Sequence, residues 1–121
     1  IAQCLVGSEM CIRDRVYTGT HDNVTTEGWR QSASPEDVHY ACRYLRCLPE
    51  DLTEAMICAC LASVSDMAII PMADWLGLGE EAHLNSPGKL GGNWSWRAAD
   101  GFDTAALAKR ILAECAVYCR T

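Results

Sequence analysis

The chain alternates between short β-prone runs and longer segments in which apolar residues recur every three or four positions. Ser34 can cap a helix and Pro35 suits its first turn, so the apolar stripe that follows predicts a helix to about Arg46. A second helix is predicted from Pro49 and is expected to be deeply buried, because its run is apolar on most sides. A third is predicted after a cap at Asp103. Its inward stripe comprises Leu107, Ala108, Ile111, Leu112, Cys115 and Cys119.

Two β-prone runs complete the pattern. The run that starts at Val16 is rich in β-branched and aromatic residues, and it predicts a strand. Residues 67–70 form a short apolar run between Asp66 and Pro71, which predicts a strand buried on both faces. The order strand, helices, strand predicts a parallel pair joined by a crossover. Two strands leave their outer edges unpaired, so the sequence predicts an α/β fold that is incomplete as given.

Composition narrows the functional class. The chain has 121 residues, of which 50% are apolar, so it can bury a core. Its net charge of −6 disfavours nucleic-acid binding, because such proteins concentrate Lys and Arg on one face. No apolar run is long enough to cross a bilayer, and the start lacks the pattern of a signal peptide. We therefore expect a soluble cytoplasmic protein without nucleic-acid or membrane partners.

Eight cysteines raise the alternatives of a disulfide scaffold and of a small metal protein. The spacing argues against both, because no Cys-x-x-Cys pair occurs among the later cysteines and no histidine lies at zinc-finger intervals. We expect reduced thiols within apolar helical segments, and no bound metal. The six cysteines concerned are Cys42, Cys47, Cys58, Cys60, Cys115 and Cys119.

The first strand ends in a cluster of polar side chains. His21, Asp22 and Asn23 follow it directly, and Gly19 permits close backbone approach just before them. Polar groups at the carboxyl end of a strand indicate a ligand site, and Asp22 supplies a carboxylate there. The alternative is that these three residues form only a polar turn.

Residues 17–23 (YTGTHDN), with Gly28-Trp29 after them, resemble the strand-end motif of the amylomaltases, the 4-α-glucanotransferases of glycoside hydrolase family 77. Residues 71–88 (PMADWLGLGEEAHLNSPG) and 92–97 (GNWSWR) resemble the closing segment of that family. The resemblance covers residues 16–121. It implies that they form the C-terminal part of a (β/α)₈ TIM barrel, holding about the last two strands with their helices. A complete barrel of this type has about 250 residues.

The resemblance also implies a reaction. Amylomaltases transfer α-1,4-glucan segments, such as maltooligosaccharides, to an acceptor glucan or glucose by a retaining double displacement, without a cofactor. Asp22 matches the third acidic residue of their sites, which stabilises the transition state, and His21 donates a hydrogen bond to the same sugar ring. The nucleophile and the acid/base belong to earlier strands, and neither motif occurs here. We therefore expect this chain alone to be inactive.

Further polar and aromatic residues are candidates for substrate binding. The tryptophans can stack on sugar rings or belong to the core, and the asparagines can bind hydroxyl groups or fix turns. Asp74 matches no catalytic motif. The candidates are Asn23, Trp75, Asn85, Asn93 and Trp94.

Residues 1–15 match nothing in the amylomaltase pattern. They resemble a peptide that arises when sequencing-adapter DNA is translated, which predicts a non-native leader before residue 16. The alternative is a genuine strand or arm near residues 1–6. For residues 16–121, the alternative to an enzyme segment is a non-catalytic sugar-binding or scaffold module derived from the barrel.

Overall fold

The computed structural model describes residues 14–121, and within them it contains a sheet of two parallel strands. Strand β1 (Arg15–Tyr17) pairs with β2 (Met67–Ile69), with Tyr17 opposite Ile69. This arrangement confirms the predicted α/β class and the parallel pair. The predicted leader lies mostly outside the described residues and stays a prediction.

Three helices connect the strands. These are α1 (Thr26–Ser32), α2 (Pro35–Leu45) and α3 (Leu52–Leu61), the last preceded by a 3₁₀ helix (Pro49–Asp51). Helix α2 begins as predicted, because the Ser34 hydroxyl accepts a hydrogen bond from the Asp37 amide at 3.1 Å. The sequence did not predict α1.

Glycine is favoured where α1 meets the chain that follows β2. Thr25 caps α1 by accepting a hydrogen bond from the Gly28 amide at 3.1 Å. A Cβ atom at Gly28 would lie 3.2 Å from the backbone nitrogen of Glu80, in the 3₁₀ helix Glu80–Ala82. The absent side chain therefore lets α1 approach this backbone closely.

The final helix, α5 (Ala105–Val117), is capped one residue later than predicted. The Thr104 hydroxyl accepts a hydrogen bond from the Leu107 amide at 3.1 Å, so the prediction of an Asp103 cap is wrong. The helix lies beyond α4 (Met72–Trp75) and a long irregular segment.

The core is centred on Ile57, Leu61 and Trp75. Helix α5 packs on it through part of the predicted stripe, which is Leu107, Ile111 and Cys115, and Tyr118 follows them. Ala108 and Leu112 were wrongly included, since Ala108 is exposed and Leu112, at 63% exposed, is turned away from the core relative to Ile111. Cys119 is also exposed, because it lies after the end of α5.

Strand β2 is buried on one face only. Ala68 and Ile70 pack against the core, whereas Met67 is 49% and Ile69 39% exposed. The prediction of burial on both faces is therefore wrong for this chain. Successive side chains of a strand point to opposite faces, and among the described residues the core covers only one of them.

The cysteines described by the structure are free, and Cys42 and Cys60 are buried. The prediction that all of them lie in helical segments is wrong for Cys47 and Cys119, which follow the ends of α2 and α5. Within residues 14–121, no helix combines the length and the apolar character that a membrane span requires.

Candidate functional site

The carboxyl ends of both strands open onto the same cavity. Tyr17 and Ile69, the last residues of β1 and β2, line it together with His21, Leu84 and Trp96. Its volume is about 480 Å³. Because parallel strands present their carboxyl ends at one edge, the loops after β1 and β2 supply its polar groups.

The loop after β1 carries the predicted pair. His21 Nε2 lies 3.3 Å from Asp22 Oδ1, and the two side chains are 54% and 46% exposed. A pair this exposed contributes little to stability. Its accessibility is instead what a group that contacts a ligand requires.

A second segment, which follows β2 by more than a dozen residues, holds this loop in place. Asn85 Nδ2 donates a hydrogen bond to Asp22 Oδ1 at 2.5 Å, and the backbone N–H of Asn85 donates one to the backbone carbonyl of His21 at 3.1 Å. His83 Nε2 lies 3.3 Å from the Asp22 carbonyl oxygen. Among the described residues, Asp22 Oδ2 has no hydrogen-bond partner, so this oxygen is the one free to meet a ligand.

Trp94 completes the group. Its ring centroid lies 5.0 Å from that of His21, with the planes inclined by 40°. Trp94 is 54% exposed and has a left-handed backbone conformation, with φ of 61°. An exposed indole beside the His21 ring offers an apolar face to a ligand.

The other predicted site residues have structural contacts. Asn23 lines the cavity, but its Oδ1 accepts hydrogen bonds from the Thr20 amide at 2.9 Å and the Thr20 hydroxyl at 2.8 Å. The Asn93 side chain joins two parts of its own loop by two hydrogen bonds. Its Oδ1 accepts one from the Ser86 backbone amide at 2.9 Å, and its Nδ2 donates one to the Lys89 carbonyl at 3.0 Å. Both side chains therefore fix turns, one of the two roles that the sequence left open.

Trp75 lies apart from the pair, in the hydrophobic core, and is 6% exposed. The guanidinium of Arg110 stands 5.6 Å from its ring centroid, and Arg110 Nη1 donates to the Trp75 carbonyl at 3.1 Å. The structure thus brings together His21, Asp22, Asn85 and Trp94 but does not bring Trp75 to them.

Sequence reasoning set aside Asp74, which the structure places at the wall of the cavity. It is 3% exposed. Its carboxylate accepts hydrogen bonds from the Thr18 hydroxyl at 2.5 Å and the Thr26 amide at 2.9 Å. No local pattern signals these contacts, since both partners are distant in sequence.

One cluster in the described part of the chain has the side chains of a metal site. Ligand atoms of Glu54, Cys58 and Glu114 lie within 4.8 Å of one another. Glu54 is already paired with Arg110, and burial raises the pKa of the Cys58 thiol, which favours its protonated form. A metal at this cluster would have to compete with Arg110 for Glu54 and with a proton for the Cys58 sulfur.

The polar cluster and the cavity lie within the part of the sequence that matches known proteins. The family model for 4-alpha-glucanotransferases, glycoside hydrolase family 77, matches residues 9–103. The chain belongs to this family. The resemblance seen in the sequence motifs is thereby confirmed.

Individual glucanotransferases agree with this assignment. The 4-alpha-glucanotransferase of Synechocystis sp. is 46% identical over 83 residues, which are 68% of this chain and 16% of that protein. The chloroplastic/amyloplastic 4-alpha-glucanotransferase of Solanum tuberosum is 40% identical over an alignment of 109 residues, and the match covers 87% of this chain and 19% of that protein.

A solved glucanotransferase also shares the fold. The amylomaltase from Streptococcus agalactiae, in complex with acarbose, matches with a TM-score of 0.81 and 33% identity. The match covers 88% of this chain and 22% of that one. The chain therefore spans about a fifth of the length of the relatives it matches.

Proposed function

We propose that this chain supplies part of the active site of a 4-α-glucanotransferase, which moves α-1,4-glucan segments from a donor to an acceptor glucan or glucose. The observation that carries the proposal is the exposed Asp22 carboxylate. His21 and Asn85 hold it at the carboxyl end of a parallel strand pair, in a chain that belongs to the family. The acarbose complex of the related amylomaltase supports an α-glucan ligand.

The geometry suits a stabilising role for Asp22. In a retaining transfer, a nucleophilic carboxylate displaces the leaving sugar and an acceptor hydroxyl then displaces the carboxylate, each time through an oxocarbenium-like state. A fixed carboxylate lowers the energy of that cation more than that of the neutral sugar. Asp22 Oδ2 is available for this role, because the described contacts of Asp22 engage only Oδ1 and the backbone carbonyl.

The flanking residues have complementary roles in this proposal. The partly exposed His21 lies beside Asp22 and can donate a hydrogen bond to a hydroxyl of the same ring. Trp94 offers its exposed ring face to the sugar. Asn85 holds Asp22 by donating to its carboxylate, so any contact between Asn85 and substrate would come in addition to this bond.

The proposal includes a (β/α)₈ barrel in which β1 and β2 are about the last two strands. Apolar side chains at the uncovered side of the sheet support it, since Tyr17 is 44%, Met67 49% and Ile69 39% exposed. A second groove lies between β1 and helices α2 and α3, where Tyr40 and Tyr44 are 72% and 78% exposed. Neighbouring strands and helices of a barrel would cover both surfaces.

A chimera tests the proposal. Residues 16–121 replace the superposing segment of the Streptococcus agalactiae amylomaltase, and release of glucose and longer glucans from maltotriose is measured. We expect measurable transfer, because the amylomaltase portion would provide the nucleophile and the acid/base. A chimera that folds, as judged by circular dichroism, but transfers no glucan would contradict the proposal.

The isolated chain is expected to transfer no glucan, since neither motif of the reactive carboxylates occurs in it. Acarbose binding by the isolated chain, combined with an inactive chimera, would instead support a non-catalytic sugar-binding module.

We also propose a cytoplasmic location, which the free thiols support because cytosolic thiols stay reduced. Cell fractionation tests it.

A further inference from the structure

The loop that carries His21 and Asp22 is tied at both of its ends to one buried residue. The loop leaves β1 at Thr18 and enters α1 at Thr26. Asp74 Oδ2 accepts from the Thr18 hydroxyl at 2.5 Å, and Asp74 Oδ1 accepts from the Thr26 amide at 2.9 Å. One carboxylate thus fixes the distance between the two ends of the loop.

The local structure of Asp74 does not explain these bonds. Asp74 lies in the first turn of α4, but no side chain caps that helix. The hydrogen bonds of its carboxylate instead reach residues 56 and 48 positions away in sequence. Helix capping is therefore not the role of this side chain.

The free-energy cost of burying Asp74 also argues against a purely stabilising role for this residue. Asp74 is 3% exposed, and in residues 14–121 it forms no ion pair. Burial of a carboxylate without a cation is costly, and two hydrogen bonds offset that cost only in part. An apolar side chain would fill the same space at a lower cost, but it would leave the Thr18 hydroxyl and the Thr26 amide without their acceptor.

Asp74 also connects the two halves of the candidate site. It belongs to α4, which follows β2 almost directly, and Asn85 lies further along the same stretch of chain. The loop after β1 is thereby held at its ends by Asp74 and at its tip by Asn85. With three attachment points, the carboxylate of Asp22 has little freedom to shift.

We propose that Asp74 is a positioning residue for glucan transfer, which acts by clamping the two ends of the loop that presents Asp22. The proposal rests on the transferase function proposed above. It assigns Asp74 no contact with substrate. Asp74 affects the reaction by positioning Asp22. The loss of Asp74 therefore lowers the rate of the chemical step more than it lowers the affinity for substrate.

The active chimera provides the test, with variants that separate geometry from charge. Asp74→Ala removes both acceptors, and we expect kcat per folded molecule to fall about tenfold to a hundredfold with KM changed less than about twofold. Asp74→Asn keeps one acceptor for the Thr26 amide and can donate to the Thr18 hydroxyl, so it is expected to restore most of kcat. Asp66→Ala is the matched control, because Asp66 is exposed and has no described contact with the loop.

Thr18 provides a second route if Asp74→Ala fails to fold. Thr18→Val keeps the shape of the side chain but removes the hydroxyl, and it is expected to lower kcat, whereas Thr18→Ser keeps the hydrogen bond and most of kcat. Two results would overturn the positioning role. One is an unchanged kcat in Thr18→Val and in any folded Asp74→Ala; the other is an equal loss of kcat in Asp74→Asn and Asp74→Ala. An inactive unmutated chimera would instead overturn the transferase function itself.

Discussion

Asn85 and Asp22 are 63 positions apart in sequence, yet the Asn85 side-chain amide donates a hydrogen bond to Asp22 Oδ1 at 2.5 Å. The bond joins the loop after β1 to the segment that follows β2. A charge-assisted bond of this kind orients a carboxylate and leaves its other oxygen free. The candidate site is thus a product of tertiary structure and belongs to neither loop alone.

Replacement of Asn85 in the active chimera is expected to lower kcat. Asn85→Ala removes the donor to Asp22, and we expect a loss of about tenfold, equivalent to about 1.4 kcal/mol. Asn85→Asp places a second carboxylate against Asp22, so its loss at neutral pH is expected to be larger. Steady-state kinetics with maltotriose measures both. Equal activity of the Ala and Asp variants would argue against the bond.

Replacement of Asp22 is expected to have a greater effect. Asp22→Asn keeps the size of an exposed side chain but removes the negative charge, so the fold is expected to persist while kcat falls about 10²- to 10³-fold. Asp100→Asn, at another exposed position, serves as the control. If Asp22→Asn kept the full kcat, the transition-state role would be ruled out.

The elements that could be predicted from sequence are those with strong local signals. Helix α2 has a serine cap and a regular apolar stripe, and β2 is a short apolar run beside a proline. Helix α1 escaped prediction because its sequence, TEGWRQS, is short, mostly polar and contains a glycine. Ile111 and Leu112 are adjacent on α5, and only Ile111 packs against the core. Periodicity alone did not distinguish between these two apolar residues.

The site was predictable only in part. His21 and Asp22 stand out because they follow a β-prone run and resemble a family motif. The bond between Asn85 and Asp22, and the clamp formed by Asp74, depend on how distant segments meet, which no local pattern encodes. Asn93 and Trp75 showed candidate chemistry, but the structure uses the first in a turn and the second in the core.

The thiols are expected to differ in reactivity. Burial raises the pKa of Cys58 and of Cys60, so both hold less thiolate at neutral pH, whereas Cys119 is exposed. With iodoacetamide at about pH 7.5, we expect Cys119 to be alkylated at least about tenfold faster than Cys60. Peptide mass spectrometry over time measures this. In guanidinium chloride all eight cysteines should react alike, and equal rates in the folded chain would contradict the described burial.

The pair of Glu27 and Arg30 in α1 is expected to make stability depend on pH. Hydrogen bonds from Arg30 lower the pKa of Glu27 below its ordinary value of 4.5, although burial opposes this. A depressed folded-state pKa adds stability above the unfolded-state value, and that stability is lost as pH falls through the folded-state pKa.

Glu27→Gln removes this dependence. We expect the variant to be up to about 1 kcal/mol less stable than the parent near neutral pH, with the difference shrinking below about pH 4. Urea denaturation of the parent and variant chimeras at several pH values measures it. Glu36→Gln, at an exposed position of α2, is the control. A difference that grew in acid would contradict the assigned direction of the shift.

The pairing of Tyr17 with Ile69 has a consequence for how the molecule acquires its shape. Three helices lie between the two strands in sequence, so distant parts of the chain must come together before the strands pair. Closing this long loop costs chain entropy before the first contact between the strands forms. The polar cluster at the strand ends is therefore expected to be among the last features to appear on refolding. It should also be among the first to be lost when the crossover unit opens.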